Sequence, residues 1–136
     1  GPIGRHRPDE QAERDIARGV SVARALGAVD VGQAAVVQEG LVLGVEAIEG
    51  TDRLLVRCQD LRRAGPGGVL VKVKKPNQES RADLPTIGPG TVRKAAAAGL
   101  RGIAVQAGGA LILDRARTIE VADKNGLFVV GVRVPE

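Results

Sequence analysis

The sequence has almost no aromatic side chains: Phe128 is the only one in 136 residues, and Trp, Tyr and Met are absent. Proteins that bind single-stranded nucleic acids stack the bases on aromatic side chains, so this scarcity argues against that class of partner. A core must also be built from Val, Leu, Ile and Ala, whose small or branched side chains suit close packing of helices on a sheet. We therefore expect a helix-on-sheet fold.

The surplus of positive charge is small. The formal net charge of +4 permits an anionic partner such as a nucleotide, a nucleic acid or a membrane surface. The basic side chains alternate with Asp and Glu in most segments, so they do not form a continuous basic stripe. Together with the lack of aromatic residues, this pattern predicts that the protein has no nucleic-acid partner.

Cysteine and histidine occur once each, as Cys58 and His6. A single cysteine excludes a disulfide framework and a thiolate metal cluster, so the composition fits a reducing compartment. A single histidine, near the start of the chain, makes a Ser-His-Asp or Cys-His arrangement untenable. Any acid–base chemistry must then fall to Asp, Glu or Lys, which favours metal-assisted phosphoryl chemistry over acyl transfer. We expect Cys58 to be a small apolar packing residue.

Long apolar runs are also missing. No stretch approaches the roughly 18 apolar residues needed to span a bilayer, and no signal peptide is visible. With 43% hydrophobic and 26% charged residues, the composition is typical of one soluble globular domain. The chain lacks an initiator Met, which is consistent with a piece of a longer protein.

The order of apolar patterns predicts an α/β fold in a single domain. We expect residues 1–8 to be a flexible basic tail and residues 9–136 to form the domain. From residue 68 onward strands and helices alternate, which predicts a mixed, largely parallel sheet flanked by helices. Ligands of such sheets bind outside the carboxyl ends of the strands. The predicted helices cover about 9–26, 52–62, 91–98 and 114–124, with Thr51, Thr91 and Asp114 as expected caps, and the predicted strands cover about 34–38, 41–47, 68–74, 102–106, 111–113 and 127–132.

The segment from residue 68 to residue 88 is the most informative part of the chain. An apolar strand runs directly into Lys72, Lys74 and Lys75, and a polar loop between two prolines follows. Loops carried by rigid strands often hold functional residues, and lysine binds phosphate as a point charge. The lysines are therefore either a clamp for phosphate or diphosphate, or the solvated end of a strand. Lys72 and Lys74 share one strand face, where an anion or a carboxylate would relieve their repulsion.

Carboxylates supply the other candidate chemistry. Asp52 follows Thr51 at a predicted helix start, where it could hold Mg²⁺ or position a water molecule. The alternative is that Asp52 only complements the helix dipole. Asp83 is either a second metal ligand or a cap within its loop, and Gln78 either contacts a base or sugar or is simply solvated. The turn 88–91 could bind phosphate through free amides, although no complete dinucleotide or P-loop motif is present.

Three long runs resemble a known family: VGQAAVVQEGLVLGVEAIEGTD at 31–52, VKVKKPNQESRADLPTIGP at 71–89 and AAGLRGIAVQAGGALILDR at 97–115. They resemble the C-terminal domain of UDP-2,3-diacylglucosamine pyrophosphatases of the LpxI type, and the similarity covers nearly the whole chain. The resemblance implies an enzyme of lipid A biosynthesis in Gram-negative bacteria. Such an enzyme hydrolyses UDP-2,3-diacylglucosamine to lipid X and UMP with Mg²⁺ or another divalent cation. The resemblance also implies a cytoplasmic protein that is peripheral at the inner membrane.

The resemblance implies roles for particular residues. Asp52 matches an aspartate that is essential in that family, so we expect it to be catalytic and to hold the metal. Lys72 and Lys75 would offset charge on the diphosphate, and Asp83 would be a second metal ligand. The expected substrate-binding residues are Thr51, Gln78, Asp83, Thr86 and Gly108.

The family protein has a further N-terminal domain, and this chain matches only the C-terminal one. The implied partners are therefore the protein's own N-terminal domain and the lipid-linked UDP-sugar, with a homodimer left open, and we expect the isolated domain to turn over poorly. Two positions depart from the family pattern: Ala82 replaces an aromatic residue, and Gln106 replaces a glutamate. The loss of that carboxylate supports the alternative hypothesis of a non-catalytic anion-binding or dimerisation module.

Overall fold

The structure is a computed structural model that describes residues 1–75 and 84–135. Within these ranges the chain forms four helices and seven strands. The helices are α1 (Glu10–Ala28), α2 (Thr51–Cys58), α3 (Pro89–Ala97) and α4 (Arg115–Lys124). The strands are β1 (Ala34–Gln38), β2 (Leu41–Val45), β3 (Val69–Lys72), β4 (Thr86–Ile87), β5 (Gly102–Gln106), β6 (Leu111–Ile112) and β7 (Phe128–Val132).

Five of these strands form the central sheet, in the order β2-β1-β3-β5-β7. β3, β5 and β7 run parallel, as expected where strands alternate with helices, whereas β1 is antiparallel to both of its neighbours. The mixed sheet flanked by helices confirms the predicted α/β fold. β4 and β6 form a separate two-stranded parallel sheet. β4 is only two residues long and is not among the predicted strands.

The two faces of the sheet pack against different helices, because neighbouring strand residues point to opposite faces. On one face α1 packs closely on β3: a Cβ added at Gly19 would lie 2.4 Å from Cγ2 of Val71. On the other face lie α2, α3 and α4. The α1 face buries Ala12, Ile16, Ala23, Val37, Val69, Val71, Val73 and Ala104, and the opposite face buries Val36, Leu54, Leu55, Leu70, Val92, Ile103, Val105 and Val121.

The ends of three helices differ from the prediction. α2 stops at Cys58 rather than near residue 62, and Gly50, not Thr51, is its N-cap residue. α3 starts at Pro89, which suits a first helical position because no N–H is needed there. Thr91 lies inside the first turn, where its hydroxyl oxygen accepts a hydrogen bond from the Gly88 N–H at 3.2 Å. Asp114 precedes α4 in a left-handed conformation and makes no capping hydrogen bond with its side chain.

The segment predicted to be a basic tail contacts the domain at both of its ends. Pro2 bridges to Val130, and the Ile3 N–H donates to the Val129 carbonyl at 2.7 Å, so this segment extends the sheet beyond β7. Toward its other end the backbone N–H of Arg5 donates to Oδ1 of Asp123 at 2.8 Å. No helix in the described ranges has the length and apolar character that crossing a membrane requires.

Asp15, in the middle of α1, ties the helix to the turn between β1 and β2. Its side chain is buried, and its two oxygens accept hydrogen bonds from the backbone N–H groups of Glu39 and Gly40 at 2.9 and 2.8 Å. Both turn residues have positive φ angles, as a tight hairpin requires. The helical pattern does not indicate this contact, because the residues that it joins are far apart in the chain.

We expect Asp15→Ala to lower the free energy of unfolding by about 2–3 kcal/mol, because two backbone donors would lose their charged acceptor in a buried place. Asp15→Asn keeps one acceptor oxygen and should cost less. Urea denaturation of wild type and both variants would rank their free energies of unfolding. Equal stability of wild type and Asp15→Ala would show that the contact does not hold the turn.

Candidate active site

Three backbone segments meet where β3 ends. Lys72, the last residue of β3, pairs with Ala34 at the start of the antiparallel strand β1 and with Val105 near the end of β5. The backbone N–H of Glu46, just after β2, donates to the Ala34 carbonyl at 2.9 Å. Glu46, Ala34 and Lys72 therefore lie side by side across three neighbouring strands. The carboxyl ends of β3 and β5 open at this same edge, where ligands of such sheets bind.

Lys72 is buried, with 9% of its surface exposed, so the interpretation of this lysine as a solvated strand end is wrong. Its Nζ donates a hydrogen bond to the Thr86 carbonyl at 2.8 Å, which holds the ammonium group beneath β4. Burial lowers the pKa of Lys72, and the negative charges of Glu46 and Asp52 act in the opposite direction. Lys72 is thus a cation taken out of bulk water and facing two carboxylates.

Glu46 was not singled out in the sequence, yet it is central to this edge. It is 8% exposed, and both carboxylate oxygens accept hydrogen bonds: Oε1 from the Gln33 N–H at 2.9 Å, and Oε2 from the Thr51 hydroxyl at 2.7 Å. Thr51 is the first residue of α2. The only sequence signal for this role is an acid placed directly after an apolar strand and shortly before a helix start.

Asp52 lies in the first turn of α2 and is exposed. The chain enters the helix through Gly50, whose φ of 86° lies in the left-handed region that glycine adopts without strain. Because Asp52 acts on the pKa of Lys72, the structure brings the two predicted catalytic residues to the same place. The position fits both earlier interpretations, since a carboxylate there complements the helix dipole and is also free to contact a ligand.

The other two lysines have separate surroundings. The Lys75 ammonium forms an ion pair with Asp30 at 2.9 Å, on the segment between α1 and β1. The backbone N–H of Lys74 donates to the side-chain oxygen Oε1 of Gln106 at 2.9 Å. The ammonium groups of Lys72 and Lys75 therefore have different partners, although both residues lie at the same edge of the sheet.

Two further predicted substrate-binding residues lie within the described ranges. Thr86 contacts Lys72 through its backbone carbonyl, as described above, and its hydroxyl donates to the Leu84 carbonyl at 3.2 Å. Gly108 follows β5 and lines a cavity of about 310 Å³, together with Gln106 and Arg115. Gln78 and Asp83 lie outside the described residues. In the part of the chain that is described, no three His, Cys, Asp or Glu side chains come together as a metal site.

Gln106 keeps a structural contact that does not need a negative charge. Its amide oxygen accepts the Lys74 N–H where β3 leaves the sheet, and a glutamate oxygen could do the same. We expect Gln106→Ala to lower the free energy of unfolding by about 1 kcal/mol through loss of this bond. Gln106→Glu should retain most of that stability. Thermal melts of the two variants beside wild type would test this, and equal losses in both would contradict it.

The chain matches the LpxI C-terminal domain family over residues 1–130. It is 51% identical over 138 residues to the UDP-2,3-diacylglucosamine pyrophosphatase LpxI of Caulobacter vibrioides, and the match covers 97% of this chain. It covers 49% of that protein, so the chain spans about half the length of the curated relative it matches.

Among solved structures, the chain is similar to a dCMP deaminase from the cyanophage S-TIM5 in apo form. The TM-score is 0.52 at 15% sequence identity, and the match covers 88% of this chain and 98% of that one. At this level of identity the likeness shows a shared fold and carries nothing about chemistry.

Proposed function

The chain belongs to the LpxI C-terminal domain family, and on that premise we propose that it is the catalytic C-terminal domain of a hydrolase acting on the diphosphate of UDP-2,3-diacylglucosamine. The products would be UMP and lipid X, and the reaction would belong to lipid A biosynthesis. The observation that carries the proposal is the buried Lys72 ammonium beside Asp52, at the sheet edge where ligands of this fold class bind.

Lys72 would stabilise negative charge that develops on the diphosphate. A fixed cation in a place with little water acts more strongly on a charged transition state than one in bulk solvent. The Thr86 carbonyl holds Nζ in position before substrate arrives, so little rearrangement is needed. Glu46 and Asp52 favour the charged form of Lys72 against the effect of burial.

Asp52 would hold a divalent cation or orient the attacking water. Mg²⁺ in phosphate-transfer sites is commonly held by one or two carboxylates together with substrate phosphates, so one exposed carboxylate beside a diphosphate fits that chemistry. Asp83 would supply the second carboxylate. When bound, the cation would withdraw electron density from a phosphoryl oxygen. Asp52 itself contributes an exposed acceptor at the start of α2.

The remaining predicted residues would bind the substrate around this pair. Lys75 would exchange its ion pair with Asp30 for a phosphate oxygen. Thr51 already donates its hydroxyl to Glu46, which leaves its backbone N–H at the helix start for the substrate. Gly108 would contribute from the cavity that follows β5. Gln78 and Thr86 would complete the wall formed by the polar loop.

The parts beyond this chain complete the proposal. An N-terminal domain would close over the site, since the matched relative is about twice as long. A substrate that carries acyl chains requires access to a lipid surface, so we propose a cytoplasmic enzyme that binds peripherally to the inner membrane. A homodimer is compatible with this arrangement.

The test is an assay of the full-length protein with UDP-2,3-diacylglucosamine, with and without EDTA, followed by re-addition of Mg²⁺. We expect UMP and a lipid monophosphate in equal amounts, lost with EDTA and restored by the metal. Hydrolysis in ¹⁸O-labelled water would show which phosphorus is attacked. Absence of turnover together with calorimetric binding of UMP or lipid X would instead support the non-catalytic module.

A further inference from the structure

We propose that Glu46 is a positioning residue of this site: its carboxylate joins the segment before β1 to the start of α2 and so fixes Asp52 relative to Lys72. The inference rests on the proposed function, because it assigns Glu46 a part in the same reaction. Glu46 would not touch the substrate and would act through Thr51 and the helix that carries Asp52.

The two carboxylate oxygens of Glu46 serve two different elements. Oε1 accepts the N–H of Gln33, which directly precedes β1. Oε2 accepts the hydroxyl of Thr51, the residue before Asp52. A displacement of α2 relative to the sheet would have to break one of these bonds, so Asp52 is held in a fixed place beside the end of β3.

The backbone of Glu46 is fixed as well. Its N–H donates to the Ala34 carbonyl at 2.9 Å, in register with the sheet. On the other side Gly32 packs so closely that a Cβ there would lie 2.0 Å from the Glu46 carbonyl oxygen. Because both the backbone and the carboxylate of Glu46 are held by hydrogen bonds, Glu46 can fix the position of α2 rather than move with it.

A buried carboxylate is an unusual group for a contact that serves only to hold two segments together. Taking a charge out of water costs free energy unless hydrogen bonds and an opposite charge compensate it. Here the Gln33 N–H and the Thr51 hydroxyl provide the hydrogen bonds, and the Lys72 ammonium adds an opposite charge whose effect on Lys72 itself is smaller than that of burial. The same negative charge favours the ammonium form of Lys72, so Glu46 acts on both predicted catalytic residues.

The test compares steady-state turnover of full-length Glu46→Gln, Asp52→Asn and the double variant. Removing a residue that orients a group in direct contact with a metal or substrate typically lowers activity about 10- to 100-fold. We therefore expect Glu46→Gln to lower kcat by about that factor with little change in KM. If Glu46 acts through Asp52, Glu46→Gln should change the residual rate of Asp52→Asn only slightly. If the rate of the double variant were lower than wild type by the product of the two single-variant factors, the inference would be overturned.

A second pair of variants covers the case in which Glu46→Gln folds poorly. Thr51→Val removes the hydroxyl at nearly constant shape and leaves the carboxylate in place, whereas Thr51→Ser keeps the hydroxyl. We expect Thr51→Val to lower kcat with KM nearly unchanged and Thr51→Ser to stay near wild type. Normal kcat in Thr51→Val would contradict the inference. Absence of UMP release by the wild-type protein would instead contradict the proposed function, so the two failures can be told apart.

Discussion

Asp52→Asn in the full-length protein is expected to lower kcat for hydrolysis of UDP-2,3-diacylglucosamine by about 10³-fold, since a preorganised charged group at the reacting centre typically contributes that much. The amide keeps the size of the side chain and loses the negative charge that a cation or an attacking water requires. Turnover measured as UMP release, at saturating substrate and Mg²⁺, would give the factor.

The same variant decides between the two interpretations of Asp52. If the carboxylate only complements the helix dipole, its loss should cost about 0.5 kcal/mol of stability and leave turnover intact. Asp60→Asn is the matched control, because Asp60 is also exposed and lies just beyond the end of α2. We expect that control to retain wild-type kcat. A rate for Asp52→Asn within about twofold of this control would remove Asp52 from the mechanism.

Lys72→Met should separate activity from stability. We expect kcat/KM to fall by about 10²- to 10³-fold, because the cation proposed to face the diphosphate is lost. The free energy of unfolding should rise by about 1 kcal/mol, because an apolar side chain of similar length removes the cost of burying an ammonium group. Glu46 would keep both of its hydrogen bonds, and Asp52 is exposed, so neither carboxylate becomes a buried charge without partners.

The gain in stability should depend on pH in a defined direction. Burial lowers the pKa of Lys72 in the folded protein, so the unfolded chain binds more protons in the alkaline range just below the ordinary lysine pKa. The unfolding free energy of wild type should therefore rise with pH across that range relative to Lys72→Met. The gap between the two proteins should be widest near neutral pH and should narrow on the alkaline side.

Urea denaturation at several pH values would measure this gap. Lys124→Met is the control, because that lysine is exposed on α4 and pairs with another surface side chain, Glu120, at 3.3 Å. We expect it to change neither activity nor the pH dependence. A loss of stability in Lys72→Met at neutral pH, of the size expected for a broken buried ion pair, would show that attraction to Glu46 outweighs burial.

The sheet and the positions of Lys72 and Asp52 could be predicted from the sequence for a physical reason. Apolar strands and helix starts have local patterns, so the strand that ends in Lys72 and the helix that begins near Asp52 could be placed without knowing the fold. Whether Lys72 was solvated could not be read from alternation alone. Its burial depends on β4, a strand too short to give a periodic signal.

Two kinds of contact were not predicted. Some join residues that are far apart in the chain, and in others a side chain bonds to a partner that its local pattern does not indicate. Lys75 pairs with Asp30 across 45 positions, and no local pattern encodes such a pair. Thr51 looked like a helix cap, but its hydroxyl donates to Glu46 instead. An acid after a strand is usually exposed, and the burial of Glu46 requires donors from two other segments at once.

The close approach of α1 to β3 restricts sequence change at a distance from the site. Gly19 lies against Val71, the neighbour of Lys72, on the face of the sheet opposite the lysine side chain. Alanine is the residue that helices favour most, yet its Cβ here would push β3 toward the face of the sheet that carries the Lys72 side chain. Homologues should therefore tolerate little variation at this helical position. A loss of activity caused by a variant on α1 would then report a displaced strand end, not a lost contact with substrate.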